Sequence, residues 1–140
     1  MNKKPYTAGL AGLLLLILSA CGASNGASTS VSLTMTDFTF LPSTLTVPAG
    51  EEITLTLTNS GAVAHDLMIM KLGQEISSGG HVGPEEHANV FWEQELLGAG
   101  ETVKATFTAP TEPGEYQIVC GVAGHLEAGM QGRLIVVAAP

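Results

Sequence analysis

Ile53-Thr54-Leu55-Thr56-Leu57-Thr58 alternates apolar and polar residues without a break, and Asn59-Ser60-Gly61 ends the run. A period of two places Ile53, Leu55 and Leu57 on one face and the threonines on the other, the pattern of a half-buried strand closed by a turn. The same pattern recurs on both sides. Upstream, Leu45 and Val47 lead into the turn Pro48-Ala49-Gly50-Glu51, and Val31, Leu33 and Met35 interleave with Ser32, Thr34 and Thr36. The apolar parity then switches to Phe38 and Phe40, which predicts a bulge or kink at Thr36-Asp37. Downstream, residues 64–70 put His65, Leu67 and Ile69 on one face and Asp66, Met68 and Met70 on the other. Val103, Ala105 and Phe107, then Tyr116, Ile118 and Cys120, and finally residues 134–137 complete the set. Seven or so short strands separated by Gly, Pro and Asn turns, with no internal repeat and no long amphipathic helix, predict one all-β domain. Its expected architecture is a Greek-key antiparallel β-sandwich. Residues 71–100 break the rhythm and are expected to form a long loop, with a short helix around residues 85–92.

Composition narrows the function classes. The 140 residues hold 5 Lys and Arg against 13 Asp and Glu, a formal charge of −8, so nucleic acid is not an expected partner. The mean hydropathy is nevertheless positive, +0.31. Its source is the N-terminus, where Lys3 and Lys4 precede an uncharged stretch that is densest at Leu13-Leu14-Leu15-Leu16-Ile17-Leu18. A basic start, an apolar middle and small residues before a cleavage point make residues 1–20 an expected export signal. The stretch is shorter than the roughly 20 residues that span a bilayer. Leu18-Ser19-Ala20-Cys21 resembles a bacterial lipobox, which implies cleavage before Cys21 and lipid on it. Residues 21–30, rich in Ser, Gly and Asn, then read as a flexible tether, and residues 31–140 as the domain. Cleavage would leave Lys71, Lys104 and Arg133 against all the acidic residues.

Only two cysteines exist. In an oxidising compartment a Cys21–Cys120 disulfide is the plain explanation. If Cys21 carries lipid, Cys120 stands alone and needs burial or a metal to survive oxidation. Its surroundings point to a metal: Cys120-Gly-Val-Ala-Gly-His125-Leu-Glu-Ala-Gly-Met130 sets a thiolate, an imidazole and a thioether four residues apart. The loop's glycines permit sharp turns, and His65 lies on the core-facing parity of its own strand. Two His, one Cys and a weak axial Met are the donors of an electron-transfer copper site.

With Phe40-Leu-Pro42, Val47-Pro-Ala-Gly50, Asn59 ahead of His65, and Gly114-Glu-Tyr116 ahead of Cys120, the chain resembles the blue copper proteins (cupredoxins). The Cys-x4-His-x4-Met spacing is similar to that of auracyanin, rusticyanin and sulfocyanin, and the tethered N-terminus is most similar to auracyanins. The resemblance implies one copper ion held by His65, Cys120, His125 and Met130. It also implies single-electron transfer rather than enzymatic turnover, on the outer face of the cytoplasmic membrane. The residue after the first His departs from the family's usual Asn. Asp66 is expected to accept a backbone N–H near Gly121, and its negative charge to favour Cu(II). Val122, Ala123, Gly124, Leu126 and Ala128 are expected to form a flat docking patch around an exposed edge of the His125 ring. The expected partner is a basic redox protein such as a c-type cytochrome, or a membrane electron-transfer complex, met by a monomer.

Three other readings stay open at this point: a copper chaperone or carrier that exchanges its ion, a copper enzyme with Glu127 or the His81/His87 loop at an open position or second metal, and a metal-free binding lipoprotein. His81 and His87 are expected to be solvated loop histidines, and Met35, Met68 and Met70 ordinary apolar residues. No Ser-His-Asp order, paired-carboxylate motif or phosphate-binding glycine loop is present.

Overall fold

The computed structural model describes residues 26–77 and 82–139. The expected signal peptide, Cys21 and His81 lie outside the described residues. The chain forms β1 (Ser30–Thr36), β2 (Thr39–Leu41), β3 (Thr44–Pro48), β4 (Glu52–Asn59), β5 (His65–Met70), α1 (Pro84–His87), β6 (Val90–Leu97), β7 (Thr102–Thr108), β8 (Gly114–Val119) and β9 (Gln131–Val137). One sheet has the order β2-β1-β4-β7, the other β3-β9-β8-β5-β6. Their inner faces close the core, with Leu33, Met35, Phe40, Ile53, Leu55 and Leu57 meeting Leu45, Val47, Leu67, Ile118, Leu134 and Val136. The sandwich is the expected one, and the alternation in β4 is matched residue by residue in its burial. Hydrogen bonding starts slightly ahead of residue 31, since Ser28 N–H donates to the Thr46 carbonyl at 3.1 Å.

Three features differ from the sequence reading. Two strand pairs, β1 with β4 and β3 with β9, run parallel; alternation fixes which side chains face inward, and carries no information on strand direction. The parity switch after Thr36 is a hairpin rather than a bulge: β1 and β2 pair antiparallel with Thr36 opposite Thr39, so Asp37 and Phe38 form the connecting turn. The excursion holds a helix that ends at His87 and then an eight-residue strand, β6, which contains Trp92. Among the described residues β6 pairs with β5 alone, at the edge of its sheet, with two register irregularities. Its inward anchor is Trp92, stacked on Phe107 of the facing sheet with centroids 4.9 Å apart.

Residues 71–77, with Val82 and Val90, also change what β5 and β8 face outward. Buried Gln117 of β8 accepts from Ile76 N–H at 2.8 Å and donates to the Ile76 carbonyl at 2.9 Å. That two-way clamp holds the segment on the outer face of the sheet. Met68, Met70, Ile76, Val119 and Leu126 make a second, smaller core beneath it. The outward methionines of β5 are therefore buried, as structural fillers.

Candidate metal centre

Local geometry places each donor. His65 is the first residue of β5, and Cys120 follows directly on β8. Met68 lies opposite Val119 in the β5–β8 ladder, so pairing of adjacent central strands sets the separation of the two residues. From Cys120 the chain makes a compact set of turns. His125 N–H bonds the Val122 carbonyl, Met130 N–H bonds the His125 carbonyl at 2.9 Å, and Cys120 N–H bonds the Met130 carbonyl at 3.2 Å. Gly124 and Gly129 adopt φ of +87° and +98°, a backbone region that L side chains rarely enter, which lets the loop close within ten residues.

The result is a triangle of donor atoms. His65 Nδ1 and His125 Nδ1 are 3.1 Å apart, Cys120 Sγ is 3.3 Å from His125 Nδ1, and it is 4.0 Å from His65 Nδ1. A point equidistant from three atoms so placed lies about 2 Å from each, close to first-row metal bonds of roughly 2.0–2.3 Å to nitrogen and sulfur. His65 and Cys120 are fully buried, and His125 is 8% exposed. These are the only described residues whose His, Cys or carboxylate donors converge in this way. Met130 is buried in the core cluster that contains Cys120. Two nitrogens and one sulfur in a buried triangle suit copper, and Met130 would supply the weakly bound thioether that such a site takes.

Burial also sets the protonation of the donors. Removal from water pushes the Cys120 thiol up to about 12, against the pull of Asp66 and Val122 N–H groups aimed at the sulfur and with the Asp66 charge opposing ionisation. Burial, and then the charge of His65, holds His125 below the usual imidazole range. Asp66 accepts the Gly121 N–H at 2.5 Å, bridging the two ligand-bearing segments at the place expected from sequence.

Sequence alone does not reveal a second carboxylate. Asp37 Oδ1 lies 2.8 Å from His65 Nε2, and its Oδ2 accepts Ala62 N–H at 2.8 Å. That N–H above all, and then the His65 imidazole, holds Asp37 below the usual carboxylate range. Phe38, next to it, sets its ring 4.8 Å from that of His125. The only available signal was their place in the parity switch.

A cupredoxin-like domain model matches residues 9–136. This chain belongs to the cupredoxin-like family. The cupredoxin is 36% identical to auracyanin-A of Chloroflexus aurantiacus over 104 residues, 66% of this chain and 63% of that protein, less than two thirds of its length. It is 30% identical to the copper-resistant cuproprotein CopI of Rubrivivax gelatinosus over 122 residues, 82% of this chain and 70% of that one. The crystal structure of reduced auracyanin from Roseiflexus castenholzii aligns with a TM-score of 0.66 and 31% identity, over 82% of this cupredoxin and all of that chain.

The expected docking patch needs one correction. Leu126 is 1% exposed and packs with Met68, Met70, Ile76 and Val119, because the excursion provides it with an apolar floor. Ala123, Gly124 and Ala128 are exposed and Val122 is half-buried. The His125 ring is also less open than expected, since Phe38, 37% exposed, packs against it. His87 Nε2 lies 2.9 Å from Glu93 Oε2, with both side chains partly exposed.

Proposed function

We propose that this cupredoxin carries single electrons on one type 1 copper bound by His65, Cys120, His125 and Met130, outside the cytoplasmic membrane. The observation that carries the reading is the buried His65–Cys120–His125 triangle, sized for a metal ion of this kind. Bound copper supplies reversible one-electron exchange between Cu(I) and Cu(II). The chain supplies constraint. The β5–β8 pairing holds His65 and Cys120, and the loop hydrogen bonds hold His125 and Met130. Donors fixed this firmly favour little rearrangement on electron arrival. Burial excludes water from the thiolate, which protects it from oxidation.

Phe38, whose ring packs on His125, and the exposed Ala123 and Gly124 form a small, mostly apolar surface beside His125. Such a surface suits brief redox encounters of small buried area. The acidic balance of the chain favours a basic partner, such as a c-type cytochrome, with salt-sensitive association. The lipobox-like Leu18-Ser19-Ala20-Cys21 supports tethering to the membrane by lipid. A visible spectrum of the copper-loaded protein tests the reading. An intense thiolate-to-copper band that disappears in Cys120→Ala, with a reversible one-electron titration, is expected. A colourless copper-loaded protein rejects it.

Similarity to CopI favours a second reading, in which the protein holds copper as cargo. Complete burial of His65 and Cys120 argues for slow release. Loss of Cu(I) to a competing chelator within seconds would favour cargo over the electron carrier.

A further inference from the structure

His65 is gripped from behind. Its Nδ1 points to His125 and Cys120, while its Nε2 meets Asp37 Oδ1 at 2.8 Å. The imidazole is fully buried and the carboxylate 29% exposed, so the pair sits at the boundary between core and solvent. The surroundings are built around this contact. Ala62 N–H donates to the second carboxylate oxygen. Gly61 N–H donates to Asn59 Oδ1 at 2.9 Å, which fixes the 60–64 loop beside the pair. A Cβ at position 61 would overlap Asp37 Oδ1 and stand 3.0 Å from His65 Nε2. Only glycine at 61 lets carboxylate and ring meet. Among the described residues no carboxylate bonds His125.

We propose that Asp37 is a positioning residue for the metal centre: it holds the Nε2–H of His65 so that Nδ1 stays free to bind copper, and its charge lowers the reduction potential by favouring Cu(II). A carboxylate behind a ligating imidazole orients the ring and makes it a stronger donor. A neutral acceptor would fix the same orientation without adding charge. The more highly charged oxidised ion gains more from both effects, so the equilibrium moves towards Cu(II). The inference rests on His65 binding copper through Nδ1.

Asp37→Asn in the copper-loaded protein removes the charge while keeping an acceptor of similar size. The ratio of Cu(II) to Cu(I) affinity is expected to fall about threefold or more, a rise of roughly 30 mV at about 59 mV per tenfold for one electron. Gly61→Ala keeps the charge and breaks the contact, and is expected to raise the potential as well. Asp37→Ala is read by NMR of the diamagnetic Cu(I) protein, where exchange of the His65 Nε2–H with solvent is expected to accelerate tenfold or more. A residue that only stabilised the turn would alter the melting temperature and leave potential and exchange where they were. An unchanged or lowered potential in Asp37→Asn, with the charge-transfer band intact, overturns the role of the charge. Unchanged exchange in Asp37→Ala overturns the grip. A wild-type protein without that band removes the copper reading, and this inference with it.

Discussion

Copper binding is expected to expel a proton from Cys120. In the metal-free protein the thiol is pushed up to about 12, so at pH 7 the group is protonated in essentially every molecule. The metal takes the thiolate, and must therefore displace that proton. Five pH units separate pH 7 from about 12, and at about 1.36 kcal/mol per unit the displacement costs roughly 7 kcal/mol, which the metal–sulfur bond offsets. His125, held below its ordinary range by burial, is already neutral at pH 7 and adds no proton there. Cu(I) titration calorimetry in buffers of different protonation enthalpy should thus count about one proton at pH 7. The apparent affinity should rise about tenfold per pH unit between pH 7 and 9. A count near zero, or an affinity flat over that range, would refute the burial argument. The metal-free fold carries the opposite dependence. A thiol raised from 9.0 to about 12 by folding stabilises the metal-free state fully below pH 9. That stability, about 4 kcal/mol from three units, is lost as the pH climbs towards 12. Urea denaturation of the metal-free protein at pH 8 and at pH 10.5 checks the sign.

Asp66→Asn keeps an acceptor for the Gly121 N–H but drops the charge beside the sulfur, and should raise the potential; a titration that leaves it unmoved would show that Asp66 acts only as a strap. Asn59 is fully buried and its side chain bonds the Val63 carbonyl, the Leu97 carbonyl and the Gly61 N–H. Asn59→Ala strands these backbone groups and is expected to cost about 3 kcal/mol or more in chemical unfolding, each orphaned group contributing about 1–3. Gly132→Ala would place a Cβ 2.6 Å from the Ser43 carbonyl oxygen in the adjoining backbone. That oxygen also accepts Arg133 N–H, so the strand cannot simply give way; a loss of about 1–3 kcal/mol is expected, and a neutral melting temperature would contradict it.

What could be read from the sequence follows the range of the interactions involved. Burial of alternate residues in β4 is local to one strand, so Ile53 to Thr58 displayed it openly. The Cys120 to Met130 spacing is likewise contained in one loop. β6 was hidden because an edge strand with Phe91, Glu95 and Leu96 all exposed has no single apolar parity to display. Leu126 looked like a surface residue because the floor beneath it comes from Met68, Met70 and Ile76, far away in sequence. Asp37 was the least legible, since its partner lies 28 residues downstream and no local pattern marks it. Only the parity switch flagged its neighbourhood, as an irregularity of unknown purpose.

The clamp between Gln117 and Ile76 bears on how such proteins can be re-engineered. Ligand loops that hang from a sandwich rim can in principle be exchanged between scaffolds as cassettes. Here the loop carries an anchor, Leu126, whose socket is completed by a segment between two other strands. The two have to travel together. A donor loop grafted without a matching insertion would leave Met68 and Met70 open to water, and the insertion moved alone would have nothing to grip at the rim. Interchangeability in this scaffold therefore belongs to a discontinuous unit assembled from the middle of the domain and its C-terminal loop.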